Sequence, residues 1–194
     1  QFAFTFQLED ISIEGVNSTL SIEGAVDDLG AEQTPFLAVN PFGIDTKNPE
    51  VSLVEVSQNS INDQTITNED FSISINFSEP CDQSENPTIS FESIADLEGT
   101  LTLNVGNSGW VNDQTFIADY DISDANITVE NIELIVSSVS DSAGNQMDPF
   151  NQEDVFFIDT QNPAVQNIAI NDDLLTIEDF GNTNLTVSIE FDEN

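Results

Sequence analysis

The sequence predicts an all-β chain, arranged as tandem antiparallel β-sandwiches of about seven strands each. Three observations predict it. Apolar side chains recur at every second position over short runs, which is the period of a half-buried strand. No stretch carries apolar residues at convincing helical spacing. The chain also matches itself at an offset of 114 residues, the mark of repeated folding units.

The strands follow in chain order. Val51 and Leu53 open the central unit, and Phe71, Ile73, Ile75 and Phe77 form its clearest alternating run. Ile89 and Phe91 make a third strand, Leu101, Leu103 and Val105 a fourth, and Phe116, Ala118 and Tyr120 a fifth. Ile135, Ser137 and Val139 are expected to face inward on a sixth, and Val155 and Phe157 on a seventh. Asn, Asp, Gly and Pro fill the gaps, where turn conformations need them. Trp110, just ahead of an alternating run and with no second Trp, suits core or sheet-edge packing.

The offset locates the units. Ile44-Asp45-Thr46-Lys47-Asn48-Pro49 returns as Ile158-Asp159-Thr160-Gln161-Asn162-Pro163. Phe2 and Phe116, Asp10 and Asp124, Asp27 and Asp141, Gly30 and Gly144, Phe77 and Phe191, and Glu79 and Glu193 pair at the same offset without a gap. With the Asp-Thr-x-Asn-Pro segment as the junction, residues 1–47 are the C-terminal part of a preceding unit, 48–160 a complete one, and 161–194 the start of the next. The parent protein is expected to be longer at both ends. Units joined by such short linkers make extended rods.

Charge narrows the partners. One basic residue stands against 37 Asp and Glu with no His, a formal net charge of −36. Such a surface repels phosphates and anionic lipid heads, so nucleic-acid and membrane-surface binding are not expected, and cations are. Many of these carboxylates need no role beyond a solvated surface. Cys81 is the only cysteine and forms no intrachain disulfide. No run approaches the ~20 apolar residues of a membrane span.

A catalytic role is not expected either. Without His there is no Ser-His-Asp or Cys-His set. Acid pairs abound, but an enzyme needs two carboxyls tuned differently in one pocket, whereas these recur from unit to unit on turns.

Four motifs, in their order and spacing, resemble the immunoglobulin-like repeats of giant bacterial surface adhesins. They are Asn76-Phe77-Ser78-Glu79-Pro80, the run Thr115 to Asp124, Asp141-Ser142-Ala143-Gly144-Asn145, and Phe157-Ile158-Asp159-Thr160 with Pro163. The resemblance spans the whole chain. It implies immunoglobulin-like antiparallel β-sandwiches, export to the cell surface, a spacer or adhesive role, and Ca²⁺ at domain junctions. Two departures stand out: Asp27-Asp28-Leu29-Gly30-Ala31 replaces the Asp-Ser-Ala-Gly-Asn run, and Phe191-Asp192-Glu193-Asn194 replaces Phe-Ser-Glu-Pro.

In a seven-stranded sandwich the second-to-third and sixth-to-seventh loops share the pole at which the chain arrives. Those loops carry Glu79 and Asp141, and the incoming linker brings Asp45. Three carboxylates then meet at the junction, and Asn145 or backbone carbonyls fill out the roughly six to eight oxygens that Ca²⁺ takes. Asp159 and Glu193 make a second copy, its third segment lying past residue 194, and Asp27 holds the place of Asp141 in the preceding unit. Asp121, Asp124, Asp63, Glu69 and Asp70, at the far pole, form a secondary set facing the next junction. Asp141 also reads as the head of a tight turn in which Gly144 takes positive φ. The metal candidates are therefore Asp45, Glu79, Asp141, Asp159, Glu193 and Asp27. A secreted, calcium-stiffened stalk at the cell surface is the expected function, its partners being neighbouring repeats of the same chain. The alternatives are a module gripping a cell-surface polysaccharide or protein, and a laterally assembling fibril or surface-layer subunit.

Overall fold

Strict alternation at Phe71–Phe77 and Thr115–Ile122 produces the two strands about which the fold is organised. In this computed structural model, which describes residues 3–15, 18–66, 71–97, 99–171, 174–177, 181 and 184–193, nearly all regular structure is β. The first segment supplies β1 (Thr19–Ile22) and β2 (Phe36–Val39), an antiparallel pair. The central stretch supplies β3 (Val51–Val56), β4 (Ser60–Asn62), the helical turn α1 (Asp63–Ile66), β5 (Phe71–Phe77), β6 (Thr88–Glu92), β7 (Leu101–Leu103) and β8 (Gly109–Asn112). It continues with β9 (Thr115–Ile122), β10 (Thr128–Val129), β11 (Glu133–Ser137), β12 (Phe150–Gln152) and β13 (Phe157–Asp159). The last segment holds the antiparallel pair β14 (Val165–Ile170) and β15 (Val187–Phe191).

One antiparallel sheet runs β3-β5-β9-β7, with β8 also on β9, and a second runs β6-β11-β12. A third, small sheet runs β4-β13-β10, in which β4 and β13 are parallel. The first two face each other across a single core. Phe71, Ile73 and Ile75 of β5, Ala118 of β9, and Leu134 and Val136 of β11 are fully buried in it. Ring contacts bind the layers: Phe91 of β6 lies 5.6 Å from Tyr120 of β9, and Phe156 lies 4.6 Å from Phe71 of β5. Each such side chain contributes about 1.5–3 kcal/mol by leaving water. Trp110 packs at the sheet edge against Phe77 and Phe116 and donates its indole N–H to Glu85 O.

Three strands bury a different face from the one expected, and a fourth is shorter than expected. Leu53 is half exposed, and Val54 and Val56 pack inward instead, because a bulge between Val51 and Leu53 inserts a residue and inverts the alternation. On β11, Leu134 and Val136 are buried rather than Ile135 and Ser137, while Val139 is still inward. Ser138, at φ 63°, resets the parity between them. Phe156 and Ile158 are buried where Val155 and Phe157 were expected; four apolar residues in a row hide the period. Leu103 and Val105 are exposed, β7 ending at Leu103 and only Leu101 reaching the core.

The one helical turn has a local cause that alternation cannot show. Asn62 Oδ1 accepts from the backbone N–H of Gln64 and Thr65, and Thr65 Oγ1 accepts the Asn62 N–H in return, a reciprocal cap.

Local bonds recur 114 positions apart. Thr46 N–H donates to Ile13 O at 2.7 Å, and Thr160 N–H to Ile127 O at 2.8 Å. The bridge Val26–Glu32 has its counterpart in Ser140–Gln146. Ser78 N–H donates to Glu50 O and Asp192 N–H to Ala164 O; Ser78 Oγ accepts from Glu50 N–H just as Asp192 Oδ1 accepts from Ala164 N–H. Among the described residues no helix is long and apolar enough to cross a membrane.

Candidate metal centre

Asp141 sits where two loops are stitched together. Cys81 and Asp141 form an isolated antiparallel bridge, and Asp82 N–H donates to Ser140 O at 2.8 Å, so the β5–β6 loop is bonded to the turn after β11. That turn closes on Asp141 itself. Its Oδ1 accepts the backbone N–H groups of Ala143, Gly144 and Asn145 at 2.7–2.9 Å, and Gly144 takes φ 94°. Positive φ is what glycine allows and other residues resist.

Glu79, two residues before Cys81, is carried to the same spot and is only 3 % exposed, as is Asp141. The linker arrives as the third segment. Pro49 is buried, and Glu50 is held to Ser78 by backbone and hydroxyl bonds, which places half-buried Asp45 over the two loops. Asn145 Nδ2 donates to Asp141 Oδ2 at 2.7 Å and to Asp45 Oδ1 at 3.3 Å.

Carboxylate oxygens of Asp45, Glu79 and Asp141 thus lie within 4.8 Å of one another, the one such group of three among the described residues. Oxygens bound to Ca²⁺ at 2.3–2.6 Å stand at most about 5 Å apart across the ion, so this spacing fits one shared cation. A hard, oxygen-only donor set suits Ca²⁺ or Mg²⁺ and not a metal that needs imidazole or thiolate.

Electrostatics at the centre are uneven. Burial pushes the Asp141 carboxyl up, but the Asn145 amide and the three turn N–H groups outweigh it and hold the group below the usual carboxylate range. The Cys81 thiol is pushed up to about 11 by burial and by the neighbouring Glu79, Asp141 and Asp113 charges, so it stays protonated and unreactive. Lys47 Nζ lies 3.1 Å from Glu79 Oε1 and 3.7 Å from Glu14 Oε2. Glu79 Oε1 has this ion pair but no hydrogen bond of good geometry.

No protein-family model, characterised protein or solved structure matches the chain.

The remaining candidates are spread out. Asp159 and Glu193 border one concavity together with Asp63, Asn62, Gln64, Gln161 and Pro163. Asp159 Oδ1 accepts from Thr128 Oγ1 at 3.0 Å. Glu193 Oε1 is buried without a hydrogen-bond partner, and desolvation, then Asp159, Asp192 and Asp63, raise its pKa. Asp63 is thus the third carboxylate on this concavity, but the three do not gather within 4.8 Å as the first group does. Asp27 heads an exposed turn, its Oδ1 accepting from Leu29 and Ala31 N–H, and it joins no acidic group among the described residues. The Ala31 and Leu29 N–H groups hold its carboxyl low. Asp121 accepts from Asn104 Nδ2 and Asp124 from Asn126 N–H, both local tasks, while Glu69 and Asp70 lie outside the described residues.

Two roles were not legible in the sequence. Asn145 turns its amide nitrogen, not its oxygen, toward the carboxylates and so acts as a clamp rather than a ligand. Lys47 is the second, and the signal for it was its solitude: one cation in 194 residues, inside the segment that recurs 114 positions on.

Proposed function

We propose that this chain is a structural stalk or spacer segment of a large secreted bacterial surface adhesin, non-enzymatic, built of tandem immunoglobulin-like domains and stiffened by Ca²⁺ at their junctions. The observation that carries this proposal is the meeting of Asp45, Glu79 and Asp141, from a linker and two loops, where the chain enters the central unit. A divalent ion there cancels the mutual repulsion of the three groups and ties the linker to both loops, converting a pivot into a fixed angle.

Topology supports the domain reading. Taking β3, β5, β9 and β7 as strands A, B, E and D, and β6, β11 and β12 as C, F and G gives an A-B-E-D and a C-F-G sheet, the order an immunoglobulin-like sandwich would have, which supports the proposal. The boundaries are 1–47, 48–160 and 161–194. Val165, Ile168 and Ile170 of β14, exposed here, are the 114-residue counterparts of Val51, Val54 and Val56, which pack on the central core. They suit the inner face of a following domain. In this reading neighbouring repeats of the same chain are the principal partners, and the acidic surface belongs to the outside of a cell.

A thermal melt with Ca²⁺ and with chelator tests the proposal. An ion that binds only the folded form stabilises it by about 2.7 kcal/mol at a hundredfold excess over Kd, raising the midpoint by several degrees. The Glu79→Gln and Asp141→Asn variants should shrink that rise. Superimposable melts with and without Ca²⁺ would sink the calcium claim.

A further inference from the structure

Lys47 is the only basic side chain against 37 acidic ones, and its ammonium stands 3.1 Å from a carboxylate oxygen of Glu79, which is 97 % buried. It also reaches Glu14, in the segment before the junction, at 3.7 Å. One linker ammonium therefore ties the segment before the junction to the β5–β6 loop. The counterpart of Lys47, 114 positions on, is Gln161, which carries no charge. It borders the concavity of Asp63, Asp159 and Glu193, where Glu193 Oε1 is buried without a partner.

We propose that Lys47 is a tethered counter-ion that holds the first junction closed without a divalent cation. The ammonium and a metal ion compete for Glu79. A cation entering the Asp45–Glu79–Asp141 group must displace Lys47 or bind beside a like charge, which weakens its binding there. The concavity beside Gln161 has no such ammonium. The competition rests on the calcium reading above, whereas the latch itself does not.

Hydrogen exchange over residues 44–50 separates these parts, because it reads the first junction alone. The comparison is among the whole chain, Lys47→Gln and Lys47→Arg, each in chelator and along a Ca²⁺ titration. In chelator, Lys47→Gln should exchange about tenfold faster or more in this segment, because it leaves buried Glu79 without its counter-charge, while Lys47→Arg keeps the protection of the parent. Added Ca²⁺ should restore protection to Lys47→Gln at a concentration at least about tenfold below that needed to affect the parent chain. Equal exchange of parent and Lys47→Gln in chelator would overturn the latch, and so would Lys47→Arg behaving like Lys47→Gln. Equal calcium midpoints would overturn the competition. A variant unlatched in chelator and indifferent to Ca²⁺ would uphold the latch and count against calcium at this junction. Unchanged exchange over Phe71–Phe77 serves as the control that the fold is intact.

Discussion

Asn145 donates a hydrogen from its side-chain amide to Asp141 Oδ2 at 2.7 Å, and the same nitrogen reaches Asp45, one hundred residues earlier in the chain. A neutral side chain thus clamps two carboxylates that would otherwise repel. Asn145→Ala should cost about 1–2 kcal/mol in chelator, the usual cost of leaving buried carboxylate oxygens short of a donor. Asn145→Asp should cost more in chelator, since it adds a charge, yet gain more from Ca²⁺, since it adds an oxygen ligand. Urea melts of both variants with and without Ca²⁺ check this. If Asn145→Asp gains no more from the ion than the parent does, the cluster is not the calcium site.

The low carboxyl of Asp141 gives a pH signature with a definite sign. Its folded value lies below that of the unfolded chain, so its contribution is present above about pH 4 and is lost as pH falls through the folded value. Repulsion among 37 acidic residues runs the other way, falling as they protonate. The prediction is therefore a difference. The stability gap between the parent chain and Asp141→Asn, measured by urea in chelator, should widen as pH rises from about 2 to 5 and level off above. A gap that does not change with pH would mean the carboxylate charge contributes nothing to the turn.

Gly144 tests the same turn through its backbone. At φ 94° it lies where a Cβ is unfavourable, although nothing sits within 4 Å of where that Cβ would go. Gly144→Ala should therefore cost about 1–2 kcal/mol from conformation alone. It should also loosen the Asp141 carboxylate and weaken Ca²⁺ binding. Gly30→Ala, at φ 85° in the exposed Asp27 turn, should cost a similar amount with no effect on ion binding at the Asp141 cluster. Titration calorimetry alongside the melts distinguishes the two.

How much of this was legible in the sequence depends on whether one rule governed each residue. Phe71 to Phe77 alternates without interruption, pairs on both sides, and buries the face its pattern announces. The nearness of Asp45, Glu79 and Asp141 followed from the order of strands and loops, which the repeat and the alternation together supply. What failed was parity wherever one residue broke the pleat: the Val51–Leu53 bulge and the positive φ of Ser138 each shift the inward face by one, and neither has a unique sequence mark. The cap of α1 was readable as Asn62-x-x-Thr65 but short beside two strands. The Lys47–Glu79 pair was not readable at all, since any of 37 acidic residues could have been the partner, and only the packing of Pro49 and Glu50 against the β5–β6 loop selects Glu79.

Phe156 and Phe157 put the parity correction to a direct test. They are neighbours of identical composition, yet Phe156 is 3 % exposed and packs its ring 4.6 Å from Phe71 and 5.5 Å from Phe91, whereas Phe157 is 46 % exposed. Phe156→Ala should open a cavity between the two facing sheets and cost about 3–5 kcal/mol, a large part of the stability of a domain this size. Phe157→Ala removes surface that is already half wet and should cost about 1 kcal/mol or less. A reversed order in urea melts would mean that this strand presents its other face, and with it Asp159, which follows buried Ile158, would turn away from the concavity it shares with Glu193.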